Sequence, residues 1–144
     1  MDFVELGPEY SLGVPELDSQ HKELAHQLNE AIRHCTGKKA DEKKFFDKNT
    51  RNSIEFLKNH FETEEKLLRK TKYDHFSKHK SAHKEILTKL RKMNDDIEKN
   101  RVELDLFLVT ASIKEMVVKH IKTFDLGSKN FFIDGYEKTR PQSA

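Results

Sequence analysis

Apolar side chains recur at steps of three and four residues over most of the chain, the spacing of one face of an α-helix. Four such stretches follow one another, and each carries a continuous seam of mostly apolar positions. The pattern predicts four helices, at about residues 18–36, 41–70, 75–98 and 101–124.

Residues that break helices are scarce, which argues for long helices and against a β-rich fold. The chain has five glycines and three prolines, and neither type occurs from Lys38 to Leu126. A β protein of this size needs a turn about every 8–12 residues. We therefore predict an all-α fold, an antiparallel up-down-up-down four-helix bundle, because short connections set successive helices side by side in opposite directions.

The length of 144 residues is that of one domain, so residues 1–144 are predicted to form a single domain. Residues 1–16 lack a helical period and are predicted to be an irregular N-terminal arm that covers one end of the bundle. Gly127 is expected to stop the fourth helix. The apolar residues 131–133 are expected to pack back on the bundle, and residues 139–144 to be a loose tail.

The charges nearly balance, with 27 Lys and Arg against 25 Asp and Glu, which argues against a nucleic-acid-binding protein. No apolar run is long enough to span a membrane, and the N-terminus lacks the apolar region of a signal peptide. The single cysteine excludes an internal disulfide framework. We expect a cytoplasmic protein, and the near-neutral charge and polar outer faces favour a monomer.

Each predicted seam carries histidine where a plain core would carry an apolar residue. A lone histidine there is usually a core residue with a hydrogen-bond partner. Five histidines and a carboxylate on four facing seams are costly to bury unless their polar atoms all have partners. A bound metal would give them a common partner. Members of each i, i+4 pair point the same way. The seam residues are His21, His60, Glu64, His79, His83 and His120.

Asp125 is a less obvious candidate, because it follows His120 by five residues. At about 100° per residue, five residues of α-helix place it about 140° away from His120. It can join the site only if the helix is ending or locally overwound there, and Gly127 is consistent with an ending. Taken alone, such a residue is more often a solvated surface acid.

The order and spacing of these residues resemble the hemerythrin family, including bacterial hemerythrin-like domains. The similarity runs from about Tyr10 to Phe132. Every ligand position of the family's motif has a matching residue in this chain: His21, His60-x-x-x-Glu64, His79-x-x-x-His83 and His120-x-x-x-x-Asp125.

The resemblance implies two iron ions in a non-haem, oxo- or hydroxo-bridged di-iron centre that binds O2 reversibly. Two octahedral metals need twelve bonds; five histidines, two bridging carboxylates and one bridging oxygen supply eleven, so one position stays open on the iron with two histidines. Zinc or manganese would also accept this ligand type. The implied assignment is His79, His83 and His120 on one iron, His21 and His60 on the other, and Glu64 and Asp125 as bridges.

Reversible binding of O2 requires a dry pocket without extra proton donors. Five apolar residues lie beside a ligand or one turn from it, and ordinary core packing would explain them equally well. The candidate pocket residues are Leu24, Phe61, Met116, Val117 and Ile121.

The leading hypothesis is a non-enzymatic protein that binds O2 for storage, delivery or sensing. The rivals are a di-iron peroxidase or oxidase, a redox or nitric oxide sensor that uses the same centre, and a structural bundle that binds zinc. No seam residue beyond the ligands resembles a general acid or base, which argues against an enzyme.

Overall fold

The computed structural model describes residues 1–99 and 105–140, and the regular structure in these ranges is helical. The all-α prediction is therefore confirmed for this part of the chain. A short 3-10 turn, Pro8–Tyr10, precedes the long helices, and a π-helical turn, Ile121–Asp125, follows the fourth. The α-helices are α1 (Pro15–Arg33), α2 (Lys39–Arg69), α3 (Phe76–Glu98), α4 (Leu106–His120) and α5 (Lys129–Thr139).

The four long helices enclose a common interior. Helix α1 contacts α2 and α4, and α3 likewise contacts α2 and α4, while α5 packs against α2. The first three helices begin and end within three residues of the predicted bounds. The apolar periodicity therefore identified both the helices and the faces that they bury.

The N-terminal arm is tied to α1 by side-chain hydrogen bonds. The Val4 backbone N–H donates to Asn29 Oδ1 (2.6 Å), and Asn29 Nδ2 donates back to the Val4 carbonyl (3.0 Å). Asp18 accepts from the Leu12 backbone N–H at 2.7 Å. The arm is irregular except for its 3-10 turn, and it ends where α1 begins at Pro15, a residue suited to the first helical position.

The fourth helix differs from its prediction at both ends. It begins at Leu106, where the Asp105 side chain caps it by accepting from the Leu108 N–H (3.1 Å); the predicted start at residues 101–104 lies outside the described residues. The expected stop at Gly127 is confirmed, because helical structure runs past the predicted end at residue 124 as far as Gly127 and a turn follows at Ser128. Helix α5 follows, so the predicted apolar stretch at 131–133 belongs to a helix that packs on α2. Of the predicted tail, residue 139 ends α5 and residues 141–144 lie outside the described ranges.

The core consists of two apolar clusters with a polar layer between them. Along α1, Leu17 belongs to the smaller cluster and Leu24 to the larger, with His21 between them. Along α2, Phe61 belongs to the larger cluster and Leu67 to the smaller, with Glu64 between them. Phe132 of α5 is completely buried in the smaller cluster. The predicted ligands thus occupy a layer that is closed by apolar side chains above and below.

None of the helices in residues 1–99 and 105–140 combines the length and the apolar character that a membrane crossing requires.

Candidate metal centre

All seven predicted ligands lie in the polar layer, and each is at most 5% exposed. They form two groups of side chains in which one nitrogen or oxygen atom per residue lies within 4.8 Å of the others, a spacing that could hold a metal ion. Both groups contain the same two carboxylates, and they divide the histidines as the resemblance implies. One group is Glu64, His79, His83, His120 and Asp125; the other is His21, His60, Glu64 and Asp125.

Glu64 lies between histidines of both groups. Its Oε1 is 3.0 Å from His60 Nε2 and 3.7 Å from His83 Nε2, and its Oε2 is 3.5 Å from His79 Nε2. One turn of α2 separates His60 from Glu64, so the ordinary i, i+4 geometry of the helix brings this pair to the same point.

Asp125 has the corresponding place on the other side of the layer. Its Oδ1 lies 3.2 Å from Nε2 of both His79 and His120, and its Oδ2 lies 3.2 Å from His21 Nε2. The two carboxylate oxygens therefore face different groups of histidines, the arrangement that a bridging ligand needs.

The π-helical turn explains how Asp125 reaches the layer. A turn closed by i to i+5 hydrogen bonds contains more residues than an α-helical turn, so each residue advances less around the axis. Of the two alternatives given by the sequence, local overwinding is wrong, because the helix is underwound over Ile121–Asp125. The helix ends two residues later, at Gly127.

Buried polar atoms without hydrogen bonds test whether a metal fits this layer. Although the Nε2 atoms lie near carboxylate oxygens, several buried atoms of the cluster have no hydrogen-bond partner within residues 1–99 and 105–140. Such atoms are costly in an apolar interior, and a bound ion removes the cost. Imidazole nitrogen and carboxylate oxygen together suit iron, zinc or manganese. The atoms without a hydrogen bond are Nε2 of His21, His79, His83 and His120 and both oxygens of Glu64 and Asp125.

The histidines and carboxylates of the layer also shift one another's pKa values. Burial lowers the pKa of His79, but the carboxylates of Asp125 and Glu64 outweigh burial and raise that pKa to about 9. Burial raises the pKa of Glu64, but the adjacent histidines, led by His60, hold that pKa well below its usual range. Without metal, a protonated His79 therefore lies beside the ionised carboxylate of Glu64, and a cation that binds His79 must displace its proton.

Two of the histidines have hydrogen-bond partners outside the layer. The Nδ1–H of His60 donates to Gln20 Oε1 (2.5 Å), and the Nδ1–H of His83 donates to Glu65 Oε2 (2.9 Å). With Nδ1 bound to its acceptor, each of these two histidines directs Nε2 into the layer, where it could bind a metal. The roles of Gln20 and Glu65 were not predicted from the sequence. Gln20 and Glu65 each adjoin a ligand along the chain, but each binds a histidine of a different helix.

The five candidate pocket residues have different surroundings. Leu24 and Val117 line an apolar cavity of about 70 Å³ within the larger cluster. Phe61 stacks on His83, with ring centroids 3.9 Å apart, and Ile121 is buried beside His120. Met116 differs, because it is half-buried and lines a surface groove of about 230 Å³ between α3 and α4.

Comparison with known proteins agrees with this arrangement. The family model described as hemerythrin HHE cation binding domain matches residues 12–125. Myohemerythrin from Sipunculus nudus is 38% identical over 79 residues, which are 53% of this chain and 57% of that protein. The chain thus aligns with little more than half of that relative's length. No solved structure matches the chain significantly. Because the family model covers residues 12–125, most of the chain, we conclude that this protein belongs to the hemerythrin family of HHE cation binding domains.

Proposed function

We propose that the polar layer holds two non-haem iron ions with an oxo or hydroxo bridge, and that the protein binds O2 reversibly without converting it. The observation that carries the proposal is that two groups of ligand atoms share Glu64 and Asp125. Two groups that share both carboxylates suit a pair of metals, because each carboxylate has two oxygens and could bind one metal with each.

The ligands would divide as the two groups do. His79, His83 and His120 would hold one iron, and His21 and His60 the other, with Glu64 and Asp125 shared. The iron with fewer histidines would keep a position free for a small ligand. When bound, the pair of ferrous ions supplies the electrons that make O2 binding possible.

The surrounding side chains keep the centre dry. Leu24, Phe61, Val117 and Ile121 are each at most 6% exposed. Because they are buried and apolar, these residues would limit the access of water, and none carries an ionisable group that could deliver a proton to the ligand position. Reversible binding depends on that exclusion, because added protons would drive the reduced ligand away and leave oxidised metal.

We also infer that the four long helices run antiparallel. Residues 34–38 and 70–75 are the only links between α1, α2 and α3. Segments this short join neighbours that run in opposite directions. The contacts of α1 and α3 with both α2 and α4 fit such an up-down-up-down bundle.

The test begins with metal analysis of protein loaded anaerobically with ferrous iron. We expect about two irons per chain, and visible charge-transfer bands that appear with O2 and fade when O2 is removed, through repeated cycles. Bands that form once and never fade would indicate an oxidase, a peroxidase or rapid autoxidation. A protein that takes up zinc and rejects iron would support a structural bundle.

Variants identify the ligands in the same assay. His79→Ala and Glu64→Ala each remove a completely buried ligand atom, so bound iron should fall well below two per chain. His26→Ala is the matched control, because His26 is exposed on α1 and should leave iron content unchanged. If His79→Ala and Glu64→Ala bind as much iron as His26→Ala, then His79 and Glu64 are not ligands.

A further inference from the structure

The two groups of ligands differ in the charge of their outer hydrogen-bond partners. His83 donates to a carboxylate, Glu65, whereas His60 donates to a neutral amide, Gln20. The Nδ1 atoms of His21, His79 and His120 have no hydrogen-bond partner among the described residues. Within that part of the chain, a negatively charged outer partner therefore serves only the group that contains His83.

The position of Glu65 is well defined. Its side chain is 13% exposed, and that of His83 is 2% exposed. On one side the imidazole of His83 stacks on Phe61, with ring centroids 3.9 Å apart and planes 10° from parallel. Phe61, Glu65 and His83 together line a groove between α2 and α3. Phe61 thus fixes the plane of the ring, while Glu65 fixes its rotation and the nitrogen that carries the proton.

A carboxylate affects a metal-bound imidazole more strongly than an amide does. A hydrogen bond from N–H to an ionised oxygen is about twice as strong as one to a neutral oxygen. It shifts electron density toward the opposite nitrogen and makes the imidazole a more basic ligand. A more basic ligand favours the more highly charged metal ion, so the preference should be larger for Fe(III) than for Fe(II).

We propose that Glu65 is a positioning residue that stabilises Fe(III) relative to Fe(II) at the metal position of His79, His83 and His120, and so makes the two positions unequal. This inference rests on the proposed function, since it assumes iron in the layer. At the position of His21 and His60, the only outer hydrogen-bond partner among the described residues is the neutral Gln20, so this position should retain the ferrous state more readily.

The experiment is an anaerobic redox titration of iron-loaded protein, in which visible spectroscopy monitors the oxidation state of the iron. Glu65→Gln keeps an acceptor oxygen of the same shape and removes one negative charge. Outer-partner changes typically lower metal affinity about 10- to 100-fold. We expect the loss to be about tenfold larger for Fe(III) than for Fe(II), which corresponds to a rise in reduction potential of about 59 mV for one electron.

Two further variants make the test specific. Glu62→Gln removes a charge from the same groove, but Glu62 is exposed and should leave the potential unchanged. Gln20→Glu places a charge beside His60 and should lower the potential. The inference is overturned if Glu65→Gln leaves the potential at the wild-type value, or if Glu62→Gln shifts it equally.

The outcome is separable from that of the proposed function, because the titration requires no O2. A wild-type protein that holds two irons and fails to release O2 would refute reversible binding, while the shift in Glu65→Gln would still support the inference. An unchanged potential in Glu65→Gln, with O2 released normally, would overturn the inference alone. A wild-type protein that binds no iron would overturn both.

Discussion

Gly135 is the position where α5 touches the backbone of α2, and replacing it with alanine is a direct test of that packing. A Cβ atom at Gly135 would lie 2.2 Å from the Leu67 carbonyl oxygen and 2.9 Å from the carbonyl carbon. The ordinary van der Waals distance between such atoms is about 3.5 Å, so α5 would have to move about 1 Å away from α2. Phe132, completely buried three residues earlier, would move with it.

The size of the effect follows from two opposing terms. Overpacking typically costs about 1–3 kcal/mol, and the upper end applies because the obstacle is backbone. Alanine is the better helix former by about 1 kcal/mol. The net expectation for Gly135→Ala is a loss of about 2 kcal/mol in the free energy of unfolding, or about 4–8 °C in melting temperature for a chain of this size.

The matched control is Gly127→Ala, since Gly127 is also helical but has open space around its Cβ position. It should gain about 0.5–1 kcal/mol. Both variants are compared with the wild type by thermal denaturation of the metal-free protein, with circular dichroism as the probe of unfolding. If Gly135→Ala is as stable as Gly127→Ala, then α5 does not pack as described.

Two other measurements examine the interior and the metal site. Phe132→Ala should destabilise the metal-free protein by about 3–5 kcal/mol, because it empties a completely buried site; a urea midpoint close to that of the wild type would contradict this. Metal binding should release protons near pH 7, because His79 with a pKa of about 9 is protonated there and must be neutral to bind. Above the pKa of His79, this proton release should disappear. An indicator dye in a weakly buffered protein solution measures the released protons. Proton release that does not depend on pH would exclude His79 as the source.

Much of the site was accessible from the sequence because α-helices repeat regularly. The pairs His60 with Glu64 and His79 with His83 stand at i, i+4, and a helix with 3.6 residues per turn brings each pair to one point. Apolar neighbours one turn away, such as Leu24 and Leu57, identified the buried face. Burial of the histidines then followed from the faces themselves.

The remaining features depend on geometry that α-helical periodicity does not describe. Nothing in residues 121–125 signals a π-helical turn, so Asp125 was placed by resemblance to a family and not by rotation. The sequence predicts only a short apolar piece at residues 131–133 where α5 lies, and Gly135, a poor helix former, is accommodated in α5 by close contact with Leu67. Glu65 lies off the seam, and only the assembled bundle brings it to His83.

The π-helical turn has a consequence for insertions and deletions in this segment. A turn of this kind holds one residue more than an α-helical turn. Loss of one residue between His120 and Asp125 would place the aspartate four residues after His120, the same spacing as between His60 and Glu64. The chain after the aspartate would keep nearly its present rotation about the helix axis. Gain of one residue would instead turn everything after it by about 100° and swing Phe132 out of the interior. The segment should therefore tolerate length changes in one direction only.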